Sequence, residues 1–152
     1  MKSVEGDLLK FAGQGHFDVI VHGCNCFCTM GAGIAKSIRD QFPAAFEADL
    51  ATPKGDRDKL ETYSAAKVIV GKHSLDVVNA YTQFHWRGSG VKADYEAIRG
   101  VFKNIRRDFA GKRIGYPMIG AGLAGGDWDT ISEIICEALV GEDHTMVVFK
   151  PS

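Results

Sequence analysis

Phe17-Asp18-Val19-Ile20-Val21-His22-Gly23-Cys24-Asn25-Cys26, followed three residues later by Met30-Gly31-Ala32-Gly33-Ile34-Ala35, is the stretch from which the fold is read. The run up to His22 is short and β-branched, and it gives way at Gly23 to a Gly/Cys/Asn segment, as a buried strand feeding a loop does. From Gly33 onward, Ile34, Ile38 and Phe42 recur at four-residue spacing until Pro43, which predicts a helix. The unit is strand, glycine loop, helix.

The same unit occurs again near the C-terminus. Arg113-Ile114-Gly115-Tyr116-Pro117-Met118-Ile119 predicts a strand that enters Gly120-Ala121-Gly122-Leu123-Ala124-Gly125-Gly126. Behind it Trp128, Ile131, Ile135 and Leu139 repeat at helical spacing, with Thr130 and Glu133 set as a capping box at the helix start. Between the two units the pattern predicts a helix over 44–51 and a hairpin of 66–70 with 75–81 around Gly71-Lys72-His73-Ser74. It also predicts a helix from Asp94 with the stripe Ile98, Phe102, Ile105, Phe109, and a closing strand over 144–149. Pro53 to Lys59 reads as a solvated loop, and Gln83 to Gly90 as an aromatic, glycine-bounded loop without core periodicity. Helices alternating with strands predict a single three-layer α/β/α domain over residues 1–152.

Composition narrows the function. With 152 residues, 45% apolar and 24% charged, the chain supports one ordinary core. Eighteen Lys and Arg against nineteen Asp and Glu leave a net charge of −1, so no bulk field collects nucleic acid or an anionic membrane. The cations Arg99, Lys103, Arg106 and Arg107 read as a solvated helix face, without the interleaved aromatics of a nucleic-acid platform. No run is long and apolar enough to span a bilayer, and the first residues carry no apolar signal core; a cytoplasmic monomer is expected, with no membrane partner. Cys24, Cys26 and Cys28 crowd five positions, unlike a secreted disulfide framework.

There are 18 glycines in 152 residues against a usual ~7%, and they cluster where apolar runs end. Two glycine loops leaving strands and entering helices bring backbone N–H groups and two positive helix ends to one sheet edge, a geometry suited to a diphosphate. Neither completes the nucleotide-triphosphate P-loop, because Lys36 lies three residues beyond Gly33 and no Lys follows Gly126. Gly120-x-Gly122-x-x-Gly125 matches the dinucleotide fingerprint in letters, yet the chain offers only one more strand, preceded rather than followed by Asp143. His22, Cys24, Cys26 and Cys28 alternate in the manner of metal ligands, but no second ligand cluster accompanies them; neither metal nor cofactor is assigned, and the thiols read as structural. His22 and Asn25 stand where a strand meets the first loop. By position His22 is either a satisfied core histidine or a proton-transfer group, and Asn25 is suited to orient a hydroxyl. Asp127 either assists at the second loop or caps the helix behind it.

Asp18-Val19-Ile20-Val21-His22-Gly23-Cys24-Asn25-Cys26, Met30-Gly31-Ala32-Gly33-Ile34-Ala35, Gly6-Asp7-Leu8 and Pro117-Met118-Ile119-Gly120-Ala121-Gly122-Leu123 together resemble a macro domain, the ADP-ribose-binding module, over nearly the whole chain. Within that family the His-x-Cys-Asn-Cys pattern looks most like the branch that dephosphorylates ADP-ribose 1″-phosphate. The resemblance implies a central mixed sheet, with Asp7 and Leu8 at the adenine and Asn25 at the distal ribose. It also implies that Gly31, Ala32, Gly33 and Ile34 with Gly120, Ala121, Gly122, Leu123 and Ala124 wrap the diphosphate and distal ribose, and that His22 is catalytic.

The chain departs from hydrolytic relatives in three places, one of which is the absence of the tandem Glu of glycohydrolases. Ala124 stands where macro domains that cleave ADP-ribose esters carry an acid after Gly-x-Gly-Leu, and Ala35-Lys36 replaces an acid found after the first loop in others. The expected partners are therefore small-molecule ADP-ribose derivatives, with metal-independent release of phosphate from ADP-ribose 1″-phosphate as the leading activity. A reader of ADP-ribose with little turnover, or a hydrolase removing ADP-ribose or acetyl from modified partners, are the alternatives.

Overall fold

Val19–Cys24 forms β2, and its alternation sets the layers: Val19 and Val21 join one apolar cluster, Ile20 the other. The computed structural model describes residues 1–87 and 90–151, so Gly88 and Ser89 of the aromatic loop lie outside it. In chain order the elements are β1 (Lys2–Gly6), α1 (Leu8–Gly13), β2, α2 (Gly33–Gln41), α3 (Pro43–Leu50), β3 (Tyr63–Val70), β4 (His73–Tyr81), α4 (Tyr95–Asp108), β5 (Ile114–Tyr116), α5 (Trp128–Ala138) and β6 (His144–Phe149).

The strands form one mixed sheet in the order β1-β6-β5-β2-β4-β3, parallel throughout except for the β3–β4 hairpin at the edge. On one face α4 and α5 pack Ile98, Phe102, Ile131 and Ile135 onto Val19, Val21 and Val78. On the other, α1, α2 and α3 bring Leu8, Leu9, Ile38 and Ala45 to Ile20 and Val77. The expected three-layer α/β/α architecture is the one observed.

Four local details differ from the sequence reading, each for a physical reason. β1 and α1 were not foreseen: Lys2 to Glu5 is exposed residue by residue at the sheet edge, so it carries no apolar period. β2 runs on through Gly23 and Cys24 because β4 pairs with it as far as Cys24↔Tyr81. Of the two caps the sequence offers for α5, Thr130 is not the one used: the Asp127 carboxylate accepts from Thr130 N at 3.1 Å, as its capping alternative expects. Lys59, placed by its charged neighbours in a solvated loop, is 5% exposed; its ammonium donates to Cys26 O at 3.1 Å and lies 4.5 Å from the Tyr81 ring centre.

Phe102 is fully buried, edge-on to Tyr116, whereas Ile69 on the edge strand is 72% exposed. Phe102→Ala is expected to cost about 3–5 kcal/mol of unfolding free energy, and Ile69→Ala less than about 0.5 kcal/mol. Urea titration of the two variants reads the contrast, and equal losses would contradict this placement of the core.

Candidate functional site

β2 and β5 are adjacent and parallel, yet their connections leave on opposite faces of the sheet, one to α2 and one to α5. A crevice opens outside the carboxyl ends of two strands that diverge in this way, and it is where ligands collect in open α/β sheets. Both glycine loops border it.

The first loop ends at α2. α1, α4 and α5 are each capped by an aspartate side chain, Asp7, Asp94 and Asp127, but the α2 cap is Ala32, which has no oxygen to offer. The first-turn N–H groups of α2 therefore face the crevice without a side-chain acceptor, at the positive end of a nine-residue helix. Gly33 begins that turn with φ +58°, in the left-handed region that glycine enters without strain.

The second loop closes on itself through Gly126 N to Gly120 O at 2.6 Å and Gly125 N to Gly122 O at 3.0 Å. A Cβ on Gly126 would stand 2.6 Å from that same Gly120 oxygen, so only glycine permits the closure. Among the described residues the N–H groups of Gly122, Leu123 and Ala124 have no protein acceptor, and all three residues line the crevice. The sequence reading expected a second open helix end here. Asp127 fills it, and the loop's own amides take its place.

Two cavities occupy the crevice. One, of about 560 Å³, lies between Asn25, Gly31 and Gly120 with Trp86 at its edge; the other, of about 760 Å³, reaches from Gly33 to Asp7, Leu8 and Phe149. They share Gly33, Ile34, Pro117, Met118 and Gly122, and so form one bent trough. Every residue expected at a ligand lies along it: Asp7, Leu8 and Ala121 at one end, Asn25, Gly31, Ala32, Gly120, Leu123 and Ala124 at the other, and Gly33, Ile34 and Gly122 between. Among the described residues its only charged lining side chain is Asp7, whose Oδ1 caps α1 by accepting from Leu9 N at 3.0 Å.

Asn25 is 8% exposed and organises the first loop, its Oδ1 accepting from Phe27 N at 2.8 Å and its Nδ2 donating to Thr29 Oγ1 at 2.7 Å. The same amide nitrogen also reaches Thr29 O at 3.4 Å, and one lone pair of the carboxamide oxygen remains for a hydroxyl. Beneath the loop, Tyr81 donates to Asp49 Oδ1 at 2.7 Å, and the Cys28 thiol donates to Asp49 O at 3.2 Å. Burial holds the Cys24 thiol protonated, with its pKa well above the ordinary value, so it is no nucleophile at neutral pH.

His22 is the principal correction. Strand alternation turns it to the α3 face, where it is fully buried and lines neither cavity. Its Nε2 lies 2.6 Å from Asn79 Oδ1. Asn79 spends its amide nitrogen on Ala45 O at 2.9 Å, so its oxygen faces the ring and His22 is the donor. Burial lowers the imidazole pKa to about 4. A neutral, enclosed ring does not reach a substrate in the trough, and His22 instead ties β2 to β4 and α3. Asp127 likewise lines neither cavity; its exposed carboxylate is held as the α5 cap, its pKa lowered by the hydrogen bonds from Thr130. Sequence reasoning missed Thr82, Gln83 and Trp86 in the trough, because none of them belongs to either phosphate loop or to an apolar period.

Comparison with known proteins agrees with this arrangement. The family model described as the macro domain matches residues 21–135. A 17.5 kDa protein of the tk-vs intergenic region of Enterobacteria phage T4 is 36% identical over 140 residues, covering 89% of this chain and 87% of that one. A DNA ADP-ribosyl glycohydrolase of Mycobacterium tuberculosis is 28% identical over 153 residues, covering 97% of this chain, which spans 41% of that protein's length. Among solved structures, the macrodomain of Thermus aquaticus DarG superposes with a TM-score of 0.72 at 22% identity, covering 99% of this chain and 97% of that one. Thermosipho africanus DarTG in complex with ADP-ribose gives 0.70 at 17% identity, covering 97% of this chain and 42% of that one.

The buried histidine makes a pH prediction. The unfolded chain protonates His22 near pH 6.5, whereas the folded chain keeps it neutral down to about pH 4. The stability that the neutral ring contributes is therefore full above pH 6.5 and is lost as pH falls across that window. Between about pH 7.5 and about pH 5 the loss from this group is on the order of 2 kcal/mol. His22→Gln, which keeps a donor without a titrating group, should flatten that part of the profile in urea unfolding. Parallel wild-type and variant profiles would place His22 in solvent contact.

Proposed function

The chain belongs to the macro domain family, and from that premise we propose that it binds the ADP-ribose group along the trough and hydrolytically releases what is attached at C1″ of the distal ribose. One observation carries this reading: among the described residues, two sets of main-chain N–H groups without protein acceptors converge on a single trough that has no cationic side chain. Amides of this kind hold a diphosphate by hydrogen bonds and by the α2 dipole. The Asp7 end then takes the adenosine, Oδ2 accepting from the exocyclic amine, and the Asn25 end takes the distal ribose, in keeping with the pattern of the family.

The chemistry follows from what the Asn25 end lacks. Among the described residues its lining offers no carboxylate, histidine or lysine, and its one thiol stays protonated. Water is therefore activated by an oxygen of the bound ligand, with Asn25 fixing the ribose and the loop amides meeting the charge that develops on the departing group. ADP-ribose 1″-phosphate suits this arrangement because its terminal monoester, with a second pKa of ~6, supplies both a base and an anion for the amides. A bond to a macromolecule suits it as well, and the mycobacterial relative carries the name DNA ADP-ribosyl glycohydrolase.

Calorimetry with ADP-ribose tests the binding, and phosphate release from ADP-ribose 1″-phosphate at substoichiometric protein tests the turnover. Gly31 and Gly122 have open space where a Cβ would go. Gly31→Val or Gly122→Val should therefore lower ADP-ribose affinity at least about tenfold by filling the trough, with unfolding free energy unchanged within about 0.5 kcal/mol. No saturable association at millimolar ADP-ribose, or full affinity in both variants, would refute the reading.

A further inference from the structure

Of the three cysteines crowded into the first loop, one meets an amine. Cys24 and Cys26 are buried, whereas Cys28 is half-buried, so Cys28 is the thiol that a small solute reaches. Its backbone lies at φ +58°, in the left-handed region that a cysteine enters only under strain. Its thiol donates to Asp49 O at 3.2 Å, and the Lys59 ammonium stands 3.6 Å from the same sulfur. Lys59 is buried, yet it forms no ion pair with a carboxylate among the described residues. Beside them Asp49 Oδ1 accepts from the Tyr81 hydroxyl, while Asp49 Oδ2 is buried with no partner among the described residues. A buried amine, a carboxylate oxygen without a donor and a strained thiol are thus gathered under one loop, an arrangement that packing alone does not favour.

We propose that this cluster is an oxidation site, at which hydrogen peroxide joins the Cys28 sulfur to the Lys59 nitrogen as a sulfenamide and so loosens the first loop. Peroxide transfers one oxygen to the thiol, giving the sulfenic acid and water; the sulfur loses two electrons and the O–O bond takes them. Asp49 Oδ2 takes a proton from the ammonium, burial having pushed the pKa of that carboxyl up. The free amine then attacks the sulfenic sulfur. The N–S bond forms as the S–O bond breaks, and the hydroxyl leaves as water with one amine proton. The flexible lysine stem closes the 3.6 Å gap. Two equivalents of a thiol reverse the step, restoring thiol and amine and leaving as a disulfide. The bond reaches the trough through one peptide plane. Cys26 O, which Lys59 holds at 3.1 Å, and Phe27 N, which donates to Asn25 Oδ1 at 2.8 Å, belong to the same planar unit. Drawing Lys59 to sulfur takes a charged donor from that carbonyl and leaves it Gly55 N at 2.7 Å, so the plane turns more freely and Asn25 loses its anchor. The crosslink goes beyond the ADP-ribose reading; only its effect on affinity rests on that reading.

The test treats the full chain with hydrogen peroxide, removes the excess and maps the peptides without reductant. One pair should appear, joined through Cys28 and Lys59 with the loss of two hydrogens, and dithiothreitol should separate it. Cys136 is also half-buried, has no amine hydrogen-bonded to it among the described residues, and should form no such pair. Cys28→Ser should abolish the pair. Lys59→Arg, which keeps a cation but offers no neutral amine, should stop at a sulfenic acid that dimedone captures. In the crosslinked protein, hydrogen exchange at the Phe27 amide should quicken about tenfold and the Kd for ADP-ribose should rise about tenfold, the worth of one charge-assisted hydrogen bond. Cys28→Ser treated alike should keep the values it has untreated. Cys28 joined to Cys24 or Cys26, Cys28 oxidised while wild-type Lys59 stays free, or Cys28 left unoxidised overturns the proposal. So does a crosslink that leaves Phe27 exchange, or a measurable ADP-ribose affinity, unchanged. Failure of the untreated protein to bind ADP-ribose overturns the earlier reading instead, and the peptide map with the Phe27 exchange still decides this one.

Discussion

Main-chain N–H groups without protein acceptors are costly to bury and are tolerated only where a ligand or water completes them. In this chain they are gathered by topology. β2 and β5 lie side by side, one connection turns to each face, and the two loops meet across the crevice between them. The rest of the site follows from holding those loops still. Asn25 pins the first from within, the Lys59 ammonium holds the Cys26 carbonyl from below, and the second is shut by the contact between Gly126 and Gly120.

The choice of main chain over side chain has a price in chemistry. Recognition by amides leaves the Asn25 end without an acid or a base of its own, and the one histidine nearby in sequence is turned away into the sheet as a neutral donor to Asn79. In the function proposed above, cleavage depends on what the bound molecule brings with it.

Much of this was legible in the residues. The β-branched run at Val19 to Val21 and the period of α4 identified core elements, and the glycines at positions 31, 33, 120 and 122 identified the trough, because glycine is chosen where backbone must meet something closely. What was not legible had no periodic or compositional signal. β1 is exposed at the sheet edge, Lys59 sits in a run of charges yet is buried beneath the first loop, and Trp86 lies in a loop whose aromatics fit no stripe. His22 was misplaced because Gly23 looked like the end of β2. The strand continues two residues further, which puts His22 inside the ladder, opposite Asn79, with its side chain facing α3.

The trough's lack of fixed cations also governs how a ligand arrives. Dipoles act only at short range, and the one lining charge among the described residues, on Asp7, has the wrong sign to attract a diphosphate. Encounter with free ADP-ribose is then a matter of unaided diffusion at rates typical of uncharged pairs, little changed by ionic strength.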